Sequence, residues 1–364
     1  MSGLKSFLLS LALACAATTS FAEGTFADGT PYKGSWIKGQ ITHPSMLLGV
    51  GQYFVYKPKV VKRKSVMVML HGCAYSSTPA EDFARSTGMI EQADKDGFVI
   101  ILPQQTEKMN TGRCWNWFLT PNYSYRADLF PLLPANEPGL VLQMIDAVSV
   151  LNNLDTKRVY VMGMSAGGSM AVNLASCYPE RFKAFGIHSG NQYRAAAPLA
   201  FKLENYTDVK TFQKNLIEVI LHPDDEHMDT VQNSSDMALL CAGASARPIK
   251  AVLFHGTKDP MPAGHSDRLL EQLKLTNDLF DNGRQDSSTK YTQKITQLNG
   301  SEPGKYDYQV TELKDKKGEA ILTQYIIKEM GHAWSGGDNR WQFNDPEGPS
   351  ATNIMMDFFK KNGF

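Results

Sequence analysis

The stretch Arg158-Val-Tyr-Val-Met-Gly-Met-Ser-Ala-Gly-Gly-Ser-Met170 sets an apolar run directly against a serine boxed in by glycines. In the pattern G-x-S-x-G, here Gly163 to Gly167 around Ser165, the glycines leave room for a sharp turn that thrusts the hydroxyl out of a sheet edge. The β-branched and aromatic residues before Gly163 read as a buried strand, and Ser169 to Ala175 can continue as a helix. Ser165 therefore reads as a nucleophile at a strand-to-helix corner rather than an ordinary serine in a glycine-rich turn. The same corner aims the amide of Ala166 toward the atom under attack, as one half of an oxyanion hole.

A hydroxyl nucleophile needs a base, an acid that orients the base, and a second oxyanion donor. The run Val66 to Leu70 leads into His71-Gly72-Cys73-Ala74, and a His-Gly loop after an early strand is a place for that second donor, assigned here to the backbone of Cys73. His71 itself reads as a structural histidine whose ring fastens the loop. For the acid, Ala251 to Phe254 leads to His255-Gly-Thr-Lys-Asp259-Pro260, in the chain order Ser, Asp, His. A rival acid stands at His222-Pro-Asp-Asp-Glu-His227, after the strand-like Ile217 to Leu221. For the base, His265 is too near Asp259 and starts a helix-like segment, whereas Gly331-His332-Ala-Trp-Ser-Gly-Gly337 is a flexible loop after an apolar run at 321–327. His332 is the candidate base, with Asp259 holding its tautomer.

These residues must be positioned by the elements between them. Strand-like runs fall at 52–56, 66–70, 98–102, 159–162, 185–187, 251–254 and 321–327, with helix-like segments at 83–93, 140–151 and 266–275 between them. Such alternation predicts an α/β fold with a mostly parallel sheet covered by helices on both faces. In sheets of this kind chemistry gathers at the carboxyl ends of the strands.

Composition bounds the rest. The 37 Lys and Arg balance 37 Asp and Glu, with no basic stripe, so nucleic acid and anionic membrane are poor partners. Lys5, an apolar run from Phe7 to Ala17 and Ser20-Phe-Ala22 match a secretory signal over residues 1–22, too short to span a bilayer and so not a stable insertion. Cys15 as a lipoprotein acceptor is the minor alternative. Residues 23–364 then form a single secreted domain, extracellular or periplasmic. After Cys15, the four remaining cysteines (Cys73, Cys114, Cys177, Cys241) fit two disulfides better than a metal site in an oxidising compartment. No metal and no cofactor are expected. Tyr75, Trp115, Trp117 and Trp334 lie near the presumed site loops and are candidates to line an apolar acyl pocket, with loop packing as their ordinary role.

Several motifs in one order strengthen this reading: LHGC at 70–73, Cys114-Trp-Asn-Trp117, GMSAGG at 163–168, Tyr178-Pro-Glu-Arg-Phe182, His188-Ser-Gly190, FHGTKDP at 254–260, GHAWSGG at 331–337 and DPEGPSATNIMMDFF at 345–359. Together they resemble the esterases grouped with poly(3-hydroxybutyrate) depolymerases, which are similar to some feruloyl and acetylxylan esterases. The resemblance implies an α/β-hydrolase fold, a triad of Ser165, Asp259 and His332, oxyanion amides on Cys73 and Ala166, and a Cys73–Cys114 disulfide; Cys177–Cys241 then follows by exclusion. The implied substrate is a polyester such as poly(3-hydroxybutyrate), its oligomers, or a small ester, with plant cell-wall esters as the alternative. Stretches 126–138 and 201–248 look longer than the family pattern. Up to Phe364 the sequence carries neither a threonine-rich linker nor a polymer-binding module, which favours soluble oligomers over crystalline polymer. Two other classes are weighed. HPDDE at 222–226 resembles the metal-binding stretch of zinc-dependent deacetylases but lacks their later H-x-x-H, and a hydrolase-fold binding module would have no need of an intact Ser165, Asp259 and His332.

Overall fold

The computed structural model describes residues 18–20, 31–41, 51–74, 76–126, 136–198, 218–219, 221–222, 224, 226, 228–300 and 305–364. Six strands run parallel at its centre: β4 (Val66–Leu70), β5 (Val99–Gln104), β6 (Val159–Met164), β7 (Ala184–His188), β8 (Ala251–Gly256) and β11 (Ala320–Ile327). Antiparallel strands extend the sheet on both sides, β1 (Thr18–Ser20), β2 (Ser35–Ile41) and β3 (Gly51–Lys57) beyond β5, and β10 (Tyr308–Lys314) and β9 (Thr292–Leu298) beyond β11. The order is β1-β2-β3-β5-β4-β6-β7-β8-β11-β10-β9. The chain leaves β4 toward one edge and returns through β6 toward the other, so the crevice between the ends of β4 and β6 is a topological switch point.

The central strands are continuous apolar runs because both faces are covered. Val66, Val68 and Leu70 of β4 join Val99 and Ile101 of β5 in one core, while Met67 and Met69 join Ile100 and Leu102 in the other. Helices α1 (Pro79–Ser86), α2 (Met89–Asp96) and α8 (Ala351–Lys361) cover the methionine face. The opposite face carries α4 (Glu137–Asn152), α5 (Ala166–Cys177), α6 (Val231–Ala242) and α7 (Gly264–Asn282), the short α3 (Pro121–Ser124) lying beside α5. Every residue of α5 is buried, Ser169, Asn173 and Ser176 included, so the helix offers no solvent face to read as a stripe.

Two expectations are corrected. The single helix predicted at 83–93 is two, because Gly88 adopts a left-handed φ of 75° and ends the first at Thr87 before Met89 starts the second. The strand predicted at 217–221 is not one: Glu218, Val219 and Leu221 are helical, so the rival acid loses its place at a strand end. Of the two longer stretches, 127–135 and 201–217 lie outside the described residues.

Cys177 at the end of α5 bonds Cys241 in α6, a separation of 64 residues, and Cys73 bonds Cys114. The first pair joins two helices of one face away from the switch-point crevice. Closing a loop of that length removes about 4 kcal/mol of unfolded-state entropy in the chain model. Cys177→Ala/Cys241→Ala should therefore lower unfolding free energy by about 2–5 kcal/mol in denaturant melts, with turnover at 25 °C unchanged.

Candidate active site

Ser165 sits between β6 and α5 with φ 55° and ψ −122°, a strained conformation for a residue bearing a side chain. The glycines around it are obligatory for a steric reason. A Cβ on Gly163 would collide with the Gly167 carbonyl, and a Cβ on Gly167 with the carbonyls of Leu70 and His71. The start of α5 thus rests directly on the end of β4. Gly72 closes the contact from the other side, since its Cβ would stand 3.2 Å from Ser165 Cβ and 3.4 Å from the Met164 carbonyl oxygen. The Ser165 amide donates to the His188 carbonyl at 2.9 Å, which ties the turn to β7. Ala166 is the first residue of α5, where backbone amides have no acceptor within the helix.

Ser165 and His332 both open onto one cavity of about 470 Å³, together with His71, Gly72 and Cys73 of the loop after β4. Asp259 lies behind this wall with its side chain fully buried, and His332 Nδ1 donates to its Oδ2 at 2.8 Å. Burial works to raise the Asp259 carboxyl, but the His332 hydrogen bond, the charges of His332 and His255 and the Ser189 hydroxyl outweigh it and hold the group below the usual carboxylate range. Oδ1 accepts the Met261 amide at 2.9 Å.

The hydrogen bonds reaching Asp259 have a fixed direction. His188 Nε2 accepts the Ser335 amide at 3.2 Å, so its proton is on Nδ1, 3.1 Å from Ser189 Oγ. The Ser189 hydroxyl then donates to Asp259 Oδ2 at 2.8 Å. With Asp259 accepting from both sides, His332 keeps its proton on Nδ1 and its lone pair on Nε2, the tautomer a proton acceptor for a serine hydroxyl requires. The His188 ring is held between Phe254 (5.7 Å, 11°) and Trp334 (5.2 Å, 28°). His188 and Ser189 belong to the His-Ser-Gly motif of the sequence, which carries no assigned role above; its signal is a serine following a histidine at the end of a parallel strand.

His71 is buried and fastens its loop, as expected. Its Nε2 accepts the Gln105 amide at 3.1 Å, which leaves Nδ1 to donate to the Gly72 carbonyl at 2.6 Å. The nominated tryptophans stand elsewhere than at the cavity wall. Trp115, Trp117 and Trp334 are 2%, 6% and 1% exposed in the core, where Trp115 packs on the His71 ring and Trp334 donates to Thr352 Oγ1 at 3.0 Å. Tyr75 lies outside the described residues. The apolar wall comes instead from Phe83, Met164, Trp341 and Phe343, and Phe343 also meets the edge of the His332 ring at 6.2 Å. Among the described residues no three His, Cys, Asp or Glu side chains are grouped to hold a metal ion, and no helix is long and apolar enough to cross a membrane.

A strand-to-helix serine at the switch point of a mostly parallel sheet, with an aspartate and a histidine on the loops after β8 and β11, defines an α/β-hydrolase. The fold agrees with that of an acetyl xylan esterase from Aspergillus awamori, which superposes with a TM-score of 0.61 over 89% of this chain and 98% of that one at 15% identity. Residues 52–203 match the family described as esterase PHB depolymerase, and the chain is a relative of those esterases, as its motifs implied. It is 28% identical to poly(3-hydroxyalkanoate) depolymerase C of Paucimonas lemoignei over 41% of its length and 33% of that protein's. It is 26% identical to feruloyl esterase B of Thermothelomyces thermophilus over 58% of its length and 64% of that protein's. The match thus spans between a third and two thirds of these relatives' own lengths.

The buried histidines give a pH prediction. Burial pushes His71 down to about 4 and His188 down to about 3, whereas an unfolded histidine titrates near 6.5. Below 6.5 the unfolded chain binds more protons than the folded one, so this stability is complete above 6.5 and is lost as pH falls toward 4, at about 1.4 kcal/mol per pH unit for each group. Denaturant melts between pH 7 and 4 should show the loss, and His71→Gln should flatten the slope.

Proposed function

We propose that the protein is a secreted serine esterase that hydrolyses esters of short, uncharged hydroxyacids, best met by oligomers of 3-hydroxybutyrate. The observation that carries the reading is the shared cavity: Ser165 and His332 open onto a space walled by Phe83, Met164 and Phe343, with Asp259 buried behind and bonded to His332. In this reading Ser165 Oγ attacks the ester carbonyl while His332 Nε2 takes its proton. The amides of Cys73 and Ala166 hold the resulting oxyanion. When the intermediate collapses, the imidazolium returns that proton to the departing alcohol, and a water repeats the sequence to release the acid. Asp259 stabilises the imidazolium. No step needs a cofactor. The matched family and the named activities of the relatives support an ester as substrate, and two disulfides suit an oxidising compartment.

A second reading, an esterase of plant cell-wall carbohydrate, is favoured by one feature. A second cavity of about 740 Å³ adjoins the first, sharing Ser86, Arg340 and Trp341, and is lined by polar groups including Arg85, Asp338 and Asn339. Its arginines are already paired, Arg85 with Glu81 and Arg340 with Asp338 at 2.5 Å, which suits a neutral hydroxylated alcohol better than an anion.

Ser165→Ala should leave the fold intact and reduce turnover of a nitrophenyl ester by about six orders of magnitude, and Asp259→Asn by about four. Appreciable activity in folded Ser165→Ala rejects the mechanism. A panel of hydroxybutyrate oligomers, polymer film, methyl ferulate and acetylated xylan separates the substrates. Highest kcat/KM on the oligomers is expected, and a preference for acetylated xylan or ferulate would move the assignment to the second reading.

A further inference from the structure

Glu137, the first residue of α4, is 1% exposed, and among the described residues every partner of its carboxylate is a neutral N–H donor. Oε1 accepts from Gln105 Nε2 and from Asn116 Nδ2 at 2.6 Å; Oε2 accepts from the Asn116 amide at 2.8 Å and from Asn122 Nδ2 at 3.3 Å. A carboxylate is the side chain that fits here, because it offers lone pairs at both oxygens and no donor at either. Burial without a cationic partner raises the carboxyl to about 7, against the pull of the Asn116 and Gln105 donors. The proposed reaction gives this group no task.

Its donors lead to the loop over Ser165 by two routes. Along the first, the backbone amide of Gln105 donates to His71 Nε2, and His71 Nδ1 donates to the Gly72 carbonyl. Along the second, Asn116 Oδ1 accepts from Asn110 Nδ2 at 2.7 Å, and Asn110 Oδ1 accepts the amides of Gly112 at 2.9 Å and Cys114 at 3.3 Å. The Gly112 carbonyl accepts the Ala74 amide at 3.2 Å, and Cys114 is bonded to Cys73. The direction of the second route is forced. Two backbone N–H groups fix the Asn110 oxygen, which turns its nitrogen to Asn116, which turns the Asn116 nitrogen to Glu137. The chain is consistent only if it ends on an acceptor.

We propose that Glu137 is a positioning residue for the oxyanion loop: through Gln105 and His71 on one side, and through Asn116, Asn110 and the Cys73–Cys114 bond on the other, it sets where the Cys73 amide stands over Ser165. The inference rests on the serine-esterase reading. Its consequence is that the isosteric Glu137→Gln is not conservative. With its NH₂ on the Oε2 side it faces the Asn116 backbone amide and Asn122 Nδ2; on the Oε1 side it faces Asn116 Nδ2 and Gln105, which pairs with it only by turning over its own amide, so in either orientation at least one buried N–H group loses its acceptor and the clamp opens. An oxyanion donor acts on the transition state and not on the bound ester, so its displacement appears in kcat.

The test compares wild type, Glu137→Gln, Asn110→Ser and Ser165→Ala on nitrophenyl butyrate, with circular dichroism to confirm folding. Glu137→Gln should lower kcat about ten- to a hundredfold with KM changed less than about twofold, since loss of a whole oxyanion donor costs about a hundred- to a thousandfold. A boronic acid that mimics the tetrahedral intermediate should lose affinity by the same factor. Asn110→Ser leaves the Glu137 clamp and the Gln105–His71 route in place and cuts only the second route, so it should show a kcat-selective loss no larger than that of Glu137→Gln, readable even if Glu137→Gln does not fold. Wild-type kcat in folded Glu137→Gln, or in Asn110→Ser, overturns the proposal, as does a loss carried by KM. Ser165→Ala separates the two claims: an active variant removes the esterase reading, whereas a dead Ser165→Ala beside a normal Glu137→Gln removes only the positioning role.

Discussion

The site depends on a place where backbone meets backbone with no room for a side chain. The first turn of α5 rests on the end of β4, with Gly167 against the Leu70 and His71 carbonyls and Gly163 against Gly167 itself. That approach brings the loop at 71–74 over Ser165 and leaves the serine to absorb the strain at φ 55°. The cost is carried by the surroundings: α5 is buried along its whole length and β4 is covered on both faces, so neither can move back to relieve it. One steric constraint therefore fixes the serine, the amide at the helix start and the neighbouring loop together.

Around this contact the polar groups act through direction rather than number. Asp259 receives donors from His332 and from Ser189, and Ser189 is in turn a partner of His188. Because the Ser335 amide occupies His188 Nε2, the loop that carries His332 is tied to the same chain that sets the histidine's tautomer. Trp334 joins that loop to the His188 ring by stacking. Placement of the His332 loop and the tautomer of its ring thus share one set of contacts, and a disturbance to either reaches both.

The sequence made the interior legible and the surface much less so. Buried parallel strands are runs of apolar residues by necessity, and the runs at 52–56, 66–70, 98–102, 159–162, 185–187, 251–254 and 321–327 fall on strands, whereas the one at 217–221 does not. Strand β9, Thr292-Gln-Lys-Ile-Thr-Gln-Leu298, is largely exposed and polar, so it carries no such signal, and the sheet edge it forms went unread. Ser165, Asp259 and His332, which the fold brings together, stand out in the sequence because the elbow and the strand-end rule constrain their neighbours. The cavity wall does not. Trp115 and Trp117 are near Cys114 in sequence yet point into the core, whereas Trp341 and Phe343 reach the cavity from a segment with no motif of its own. Sequence proximity to a site loop does not set the direction of a side chain. The Ser189 and Glu137 networks were hidden for a related reason, since their partners are separated by tens of residues and meet only in the fold.

Two buried carboxylates show how the partner, and not burial alone, decides what such a group does. Asp259 and Glu137 are both almost fully excluded from solvent. Asp259 is bonded to His332, which can carry charge, and to the Ser189 hydroxyl, and against the opposing effect of burial these partners hold it below the usual carboxylate range. Among the described residues Glu137 meets amides alone, whose dipoles offset part of the desolvation and leave it raised. The first arrangement suits a group whose partner must gain and lose a proton during a reaction. The second suits a group that stays in place as an acceptor and transmits geometry, since replacing it with an apolar side chain would strand four donors. In the proposed reaction a charge-responsive carboxylate holds the base from one side and a purely geometric one holds the oxyanion loop from the other, with the strained serine between them.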